Sequence, residues 1–481
     1  MNKNLMWFRN DLRIHDNTAL HNACLSNIDE VICLFISTPK QWKKHFVSVK
    51  KISFIYQNLI SLKKELLKLN IILYYYECTD FLSSIEYLFY FCGKHKVNSL
   101  FYNYQYESNE KDRDYLITQK LSMQGISIKG FHDNLLINPN KIKNKNGQPY
   151  KKFYFFKHTI INYLSENVPI CFPIPKKRIL CNKNNIDRIY FSKNFHINFN
   201  QNLFPIGEKE AIKKLKFFYT YKIEDYLVKR NFPSLNGTSM LSPYLSLGII
   251  SIRYCLQILF KKYKKKPLID TLHAPWINEI IWREFYYHLL INFPMLSKSQ
   301  SLFKWEKKIN WSNNINYLNS WKNGETGFPI VDAAMKQLYQ IGWMHNRLRM
   351  ITASFLVKNL LINWRYGEKY FMSHLIDGDY ALNNGGWQWS ASIGSDSTSY
   401  IRVFHPSRQS EIFDKSGAFI KKYLPSLKIV PNNYIHNPYE WIIKSKCQID
   451  YPKPIVNYQN SKQKFLLEYK LAKSFYNKNK D

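Results

Sequence analysis

No Cys-x-x-Cys pair occurs among the 8 cysteines of this 481-residue chain. Their scatter argues against a zinc-ligand cluster and against a disulfide framework. Reduced thiols in a cytoplasmic protein are the simplest account. No apolar run approaches the roughly 18 residues that a membrane helix needs. The N-terminus carries Arg9, Asp11 and Arg13 where a secretory signal would need an apolar stretch, so a soluble protein is expected. No G-x-G-x-x-G occurs, which removes the usual dinucleotide fingerprint, and no internal repeat is found. Acidic residues are also scarce: 35 Asp and Glu stand against 69 Lys and Arg, for a net charge of +34. Such an excess points to a polyanionic partner, nucleic acid above all, through counterion release on phosphate contact. Lys, Asn, Ile and Tyr nevertheless crowd the whole chain, as in KIKNKNGQPYKKF (141–153) and CNKNNIDRIYFSKNF (181–195). Drift in residue usage is therefore a second source of the same charge.

The length suits two or three domains. LMWFR (5–9), VICLFIS (31–37), IILYYYE (71–77) and SLFYNYQ (99–105) read as short buried strands. Helical spacing lies between them, as in FIYQNLISLKKELLKLN (54–70). Alternation of this kind implies a parallel sheet with right-handed crossovers, an α/β domain over residues 1–132. Residues 133–203 are rich in Asn, Lys and Pro with weak periodicity and read as a connector. From 204 to 475 helical patterns dominate: ISIRYCLQILFKKY (250–263), INEIIWREFYYHLL (277–290), VDAAMKQLYQIG (331–342) and RLRMITASFLVKNLL (347–361). The second domain is expected to be mostly helical.

Four stretches concentrate chemistry. LIDGDYALNNGGWQWS (375–390) places Asp377, Asp379, Asn383, Asn384, Gly385, Gly386, Trp387 and Trp389 together. It reads either as a polar loop leading into a Trp-rich core helix or as the wall of a ring-binding site. In the second case glycines admit a planar ligand, amides and carboxylates bond its edge, and an indole stacks on it or passes it an electron. GTSMLSPYLSLG (237–248) sets Thr238, Ser239 and Ser242 at a helix start, either as ordinary caps or as an anion site for a phosphate. In NEIIWREF (278–285), Glu279, Trp282 and Arg283 share one helix face. They form either a surface ion pair or a pocket in which Trp282 stacks a base, at about 1–3 kcal/mol. WMHNRLRM (343–350) starts another helix, and its Arg349 is a candidate to neutralise Asp377 or Asp379. Trp311, Trp364 and Trp387 are far apart in sequence, and their spacing alone does not link them.

Together these segments resemble the photolyase/cryptochrome family, specifically the bacterial-type cyclobutane pyrimidine dimer photolyases. The resemblance runs in order from WFRNDLRIHDNTAL (7–20) through FYNYQYESNE (101–110) to the stretches above and covers nearly the whole chain. It implies a Rossmann-like α/β domain, a long linker and an all-α domain holding FAD. Tyr226, Thr238, Ser239, Met240, Leu241 and Ser242 would hold its phosphate and ribitol portion, with Trp276, Glu279 and Arg349 nearby. Asp377, Gly378 and Asp379 follow the flavin-binding pattern, and Asn383 would face N5 of a reduced flavin. The implied activity is light-driven repair of UV-damaged DNA by electron transfer from excited FADH⁻. Extrusion of the lesion from the duplex, a trait of photolyases as a class, costs a few kcal/mol and least at a damaged site. Glu279, Trp282, Asn346 and Met350 would surround the dimer. Arg230, Arg283, Tyr286, Arg347, Leu348 and Arg402 would meet the flanking DNA. An electron path from Trp311 through Trp364 to Trp387 would reduce the flavin. Asn109 and Glu110, with Lys298, match a folate-contacting set and imply a methenyltetrahydrofolate antenna. No metal or obligate protein partner is implied, and the chain is expected to be a cytoplasmic monomer.

Two departures stand out. After Gly147 the chain reads YKKFYFFKH where relatives usually have a Thr-Pro-Phe turn, and Ser297 stands where folate-binding relatives can have Cys. Three other readings compete. A cryptochrome photoreceptor on the same fold is opposed by Asn383 and by the absence of a long tail after the helical domain. A 6-4 photolyase would carry paired histidines, whereas Asn346 follows His345. A DNA-binding flavoprotein without repair activity is opposed by Glu279, Trp282 and Asn383 occurring together.

Overall fold

The computed structural model describes residues 2–25, 29–179, 199–263, 273–396 and 401–478. Of the expected connector, 180–198 lies outside these residues, as does the basic run at 181–195. The chain forms two compact units: residues 1–224 with 239–297 and 376–379, and residues 225–238 with 298–375 and 380–481. Among the described residues no helix is long and apolar enough to cross a membrane. No group of His, Cys, Asp and Glu among them is placed to hold a metal ion.

The first unit contains a five-stranded parallel sheet of β1 (Lys3–Phe8), β2 (Glu30–Ser37), β3 (Ile72–Glu77), β4 (Ser99–Asn103) and β5 (Ser127–Phe131), ordered β3-β2-β1-β4-β5. Leu5 pairs with Ile32 on one side and Leu100 on the other. β1 and β2 are buried almost throughout, which is why they read as continuous apolar runs. Val49–Lys68 is helical; Ser48 opens it by accepting the Lys51 N–H, and Ile52, Ile55, Leu59, Leu62 and Leu66 form its buried stripe. β5, SIKGF, is the strand that periodicity misses. It is a partly exposed edge strand with too few apolar residues to register as a pattern.

The strand order reverses between β1 and β4, where open α/β sheets present a crevice for ligands. Arg9 Nη1 donates to both Asp114 oxygens at 2.7 and 2.8 Å, with its guanidinium over the rings of Trp7 and Tyr102. The unit also holds the helix Phe153–Glu166 within the expected connector, burying Phe156, Ile160 and Leu164. The long helix Ala274–Asn292 carries Pro at its start, where a missing N–H does no harm. Its buried Glu284 accepts the backbone N–H groups of Leu136 and Ile137.

The second unit is helical, as the spacing predicts. Its elements include Pro329–Ile341, Asn346–Ser354, Trp364–His374, Tyr380–Ser390 and Tyr458–Lys478. Gly342, at φ +71°, ends the first of these in the left-handed conformation that favours glycine. The run expected to be one helix over 347–361 is α-helical to Ser354 and continues as a wider π-type turn, Phe355–Asn359. One apolar core joins these helices through Trp321, Leu338, Leu348, Leu356, Trp364, Trp387 and Phe465.

Candidate functional site

In the first unit the helix Ala274–Asn292 carries the predicted face. Glu279, Trp282 and Tyr286 are partly exposed, whereas Trp276 and Arg283 are buried. Trp276 packs on Phe218 and edge-on to Tyr219. Trp282 stacks on Phe153 at 3.6 Å and 5°, so one indole face is already covered and at most one remains for a base. Arg283 is a correction. Its Nη1 donates to the Asn134 carbonyl at 2.7 Å and Nη2 to Asn134 Oδ1 at 3.1 Å, and its guanidinium lies over Tyr287. It is neither half of a surface ion pair nor a guanidinium with all its donors open to a phosphate.

Asp377, Gly378 and Asp379 belong to this same unit and are buried. Tyr287 Oη donates to Asp379 Oδ2 at 2.5 Å, and burial followed by the Asp379 charge pushes the phenol well up. Lys51 Nζ donates to the Gly378 carbonyl at 2.5 Å. Burial pulls this ammonium down, while Asp379, Glu107 and Asp377 hold it up. Lys51 is thus a charge partner of the Asp pair within this unit, one that sequence reasoning missed. Ser239, Met240 and Ser242 are half-buried and Leu241 is buried. Met240 sits at φ +50°, a left-handed conformation unusual for a residue with a side chain. Such backbone strain concentrates at ligand clamps. The helix that follows is short, Ser242–Ser246.

The antenna candidates Asn109 and Glu110 start the helix Ser108–Ser122. The Asn109 amide and the Gln41 amide both meet His45 Nε2 at 2.8 Å. Glu110 Oε1 lies 3.5 Å from His45 Nδ1, and its Oε2 is buried with no partner. Burial, reinforced by Lys44 and Arg113, pulls His45 down to about 4. Burial raises the Glu110 and Glu107 carboxyls, and Glu110 adds its charge to Glu107.

In the second unit Asn383 is held by its side chain: Nδ2 donates to the Glu368 carbonyl at 3.0 Å. Glu368 Oε1 accepts from Asn384 Nδ2 at 2.7 Å, and Asn384 Oδ1 accepts from Gln388 at 2.8 Å. Tyr226 is buried beneath the Arg230 guanidinium, and Thr238 is half-buried. His345 caps the helix Asn346–Ser354 by accepting the Arg347 N–H. Burial, then Arg347 and Arg349, pulls its imidazole down to about 4. Asn346 is exposed, and Met350 is half-buried. Arg347 donates to Asn231 Oδ1 at 2.6 Å and lies over Phe413. Arg349 Nε donates to the Met344 carbonyl at 2.8 Å. Arg402 and Lys298 are exposed. Leu348 is a second correction: it is 0% exposed within the apolar core, so its side chain is not a DNA contact.

Trp387 and Trp364 are buried and Trp311 is half-buried. They are not in ring contact with one another. The Trp387 ring packs edge-on against Phe371 at 4.9 Å and Trp321 at 6.0 Å. Trp321 escaped the sequence reading because nothing local separates it from the other tryptophans. The Trp364 indole N–H donates to Glu306 at 3.2 Å.

Residues 4–173 match the DNA photolyase family, and residues 276–471 match the FAD binding domain of DNA photolyase. The chain is 61% identical over 482 residues to the deoxyribodipyrimidine photo-lyase of Buchnera aphidicola subsp. Acyrthosiphon pisum, covering 100% of this chain and 99% of that one. Its fold is similar to that of a Synechocystis cryptochrome, with TM-score 0.86 and 27% identity over 98% of this chain and 99% of the other. It is also similar to an archaeal photolyase from Sulfolobus tokodaii with two FAD molecules, described as implying a novel light-harvesting cofactor. There the TM-score is 0.81, with 31% identity over 97% of this chain and 99% of the other.

Proposed function

The chain belongs to the DNA photolyase family, and on that premise we propose that it splits cyclobutane pyrimidine dimers in DNA by light, using reduced FAD. The observation that carries this reading is the orientation of Asn383. Its Nδ2 spends one of two hydrogens on the Glu368 carbonyl, which fixes the amide and turns Oδ1, an acceptor, to the opposite side, where it can meet a ring. An acceptor suits the protonated N5 of a reduced flavin and not the bare N5 of an oxidised one. Bound and excited by light, the reduced flavin supplies the electron that opens the cyclobutane ring and receives it back.

The chain's own residues bind and orient. Tyr226, Thr238 and the strained turn at Ser239–Ser242 hold the cofactor's polar portion, together with Trp276. Asp377, Gly378 and Asp379, fixed by Lys51 and Tyr287, anchor it further. Glu279 accepts from a pyrimidine edge, and Trp282 offers the indole face that Phe153 leaves. Asn346 and Met350 meet the lesion, while Arg230, Tyr286, Arg347 and Arg402 contact flanking DNA. Trp387, Trp364 and Trp311 carry the electron that first reduces the flavin. Asn109, Glu110 and Lys298 hold a methenyltetrahydrofolate antenna, and the unpartnered buried oxygen of Glu110 suits a donor on that ring. The protein acts as a cytoplasmic monomer.

A cryptochrome-type photoreceptor is the second reading, favoured by the Synechocystis fold. Identity of 61% with a photo-lyase against 27% with that cryptochrome decides for repair. The test mixes purified protein and a reductant with dimer-containing DNA under blue or near-UV light and follows recovery of pyrimidine absorbance. No recovery with reduced FAD demonstrably bound would overturn the repair reading.

A further inference from the structure

Of the three tryptophans assigned to electron transfer, Trp364 alone is gripped by charge. The indole N–H groups of Trp387 and Trp311 are buried without a partner. That of Trp364 donates to Glu306 Oε1 at 3.2 Å, and the Arg365 guanidinium lies over the same ring, with Cζ 4.6 Å from its centroid. The two charges are paired: Arg365 Nη1 donates to Glu306 Oε1 at 2.8 Å and Nη2 to Oε2 at 3.1 Å. Arg365 Nε is tied to the Ser299 carbonyl at 2.6 Å. Glu306 and Trp364 are both 0% exposed, so the carboxylate acts on the ring with little screening, while the Arg365 side chain, 24% exposed, is partly screened by solvent.

We infer that the Glu306–Arg365 pair sets how readily Trp364 gives up an electron, and so governs the middle step of flavin photoreduction. The inference rests on the reading that Trp387, Trp364 and Trp311 form the path. A cation on an indole face favours the neutral, electron-rich ring and opposes a hole. A carboxylate at the N–H favours the hole, and a low-dielectric setting strengthens both effects. Removing Glu306 leaves the guanidinium uncompensated on the ring, and removing Arg365 leaves the carboxylate alone at its edge. The two changes must act with opposite sign.

Each light-driven pass moves one electron along the path, so an oxidised flavin takes two passes and one proton from solvent to reach FADH⁻. One electron leaves Trp387 for the photoexcited flavin, one moves from Trp364 to Trp387, and one moves from Trp311 to Trp364. An added soluble thiol then refills Trp311. Glu306 and Arg365 gain and lose nothing, so they are positioning residues that act through Trp364.

The experiment uses the full-length flavin-loaded protein, flash transient absorption of the tryptophan radicals, and steady-state photoreduction with a thiol. Glu306→Gln is expected to hold the hole on Trp387 and to slow photoreduction about tenfold or more. Arg365→Gln is expected to prolong the Trp364 radical signal. The double variant, which leaves no buried charge unpaired, returns both readouts toward the wild type. Repair with chemically reduced flavin stays unchanged in all of them. Trp364→Phe separates the two levels of the reasoning: if it fails to slow photoreduction, the three-tryptophan path itself is wrong. If Trp364→Phe slows photoreduction but the two single variants shift the radical signals in the same direction, or not at all, the path stands and the ion-pair inference is overturned.

Discussion

Glu368→Gln should stabilise this protein at alkaline pH and do little in acid. Glu368 is 2% exposed. Burial, only partly offset by Asn384, Arg365 and Lys369, pushes its carboxyl from the ordinary 4.5 up to about 7. The folded protein therefore keeps a proton that the unfolded chain releases earlier. For a group raised in this way, the associated stability is fully present below about pH 4.5 and is lost as pH rises through 7. The gap between 4.5 and about 7 corresponds to about 3.4 kcal/mol, of which about 2.5 falls between pH 5 and pH 8. Glutamine does not titrate, yet its amide oxygen still accepts from Asn384 Nδ2, which reaches Glu368 Oε1 at 2.7 Å. The assay is urea unfolding followed by circular dichroism at pH 5 and pH 8. The stability of the variant relative to wild type should rise by about 2.5 kcal/mol between those two pH values. Curves that stay parallel would show that Glu368 is not protonated in the folded state, and the burial argument would fall.

Three further perturbations test other links. A Cβ at Gly367 would run into the Trp387 ring and Leu356, so Gly367→Ala should cost about 1–3 kcal/mol by overpacking and slow photoreduction; unchanged thermal melting would refute it. Asn383→Leu keeps the volume but removes the acceptor, and should lower the preference for reduced flavin by roughly tenfold to a hundredfold, worked from about 1–3 kcal/mol for a lost buried partner. A redox titration in which the midpoint does not move would refute the N5 contact. Binding to undamaged DNA should fall steeply between low and moderate salt if the +34 charge meets phosphates. A flat salt dependence would make the charge compositional drift.

Most of what was legible in the sequence is local. The near-continuous apolar runs of β1 and β2 announce a sheet covered on both faces, and the 3.6-residue stripe of Val49–Lys68 announces its helix. Motif residues such as Asp377, Asp379 and Asn383 were visible because several unusual residue types sit within a few positions. What escaped is their support, which is long-range in the chain. Lys51 reaches the carbonyl of Gly378 across 327 positions, and Tyr287 reaches Asp379 across 92. Neither residue differs in its own neighbourhood from the lysines and tyrosines that crowd this chain. Arg283 and Leu348 failed for the opposite reason. Their types and spacing suit a DNA surface, but a guanidinium can bond a carbonyl as well as a phosphate, and only burial tells which. Glu306 combines both difficulties: it is an acidic residue beside two lysines, Lys307 and Lys308, with nothing local to mark it as buried. Its placement at 0% exposure against Trp364 turns that charge into one that acts on a ring.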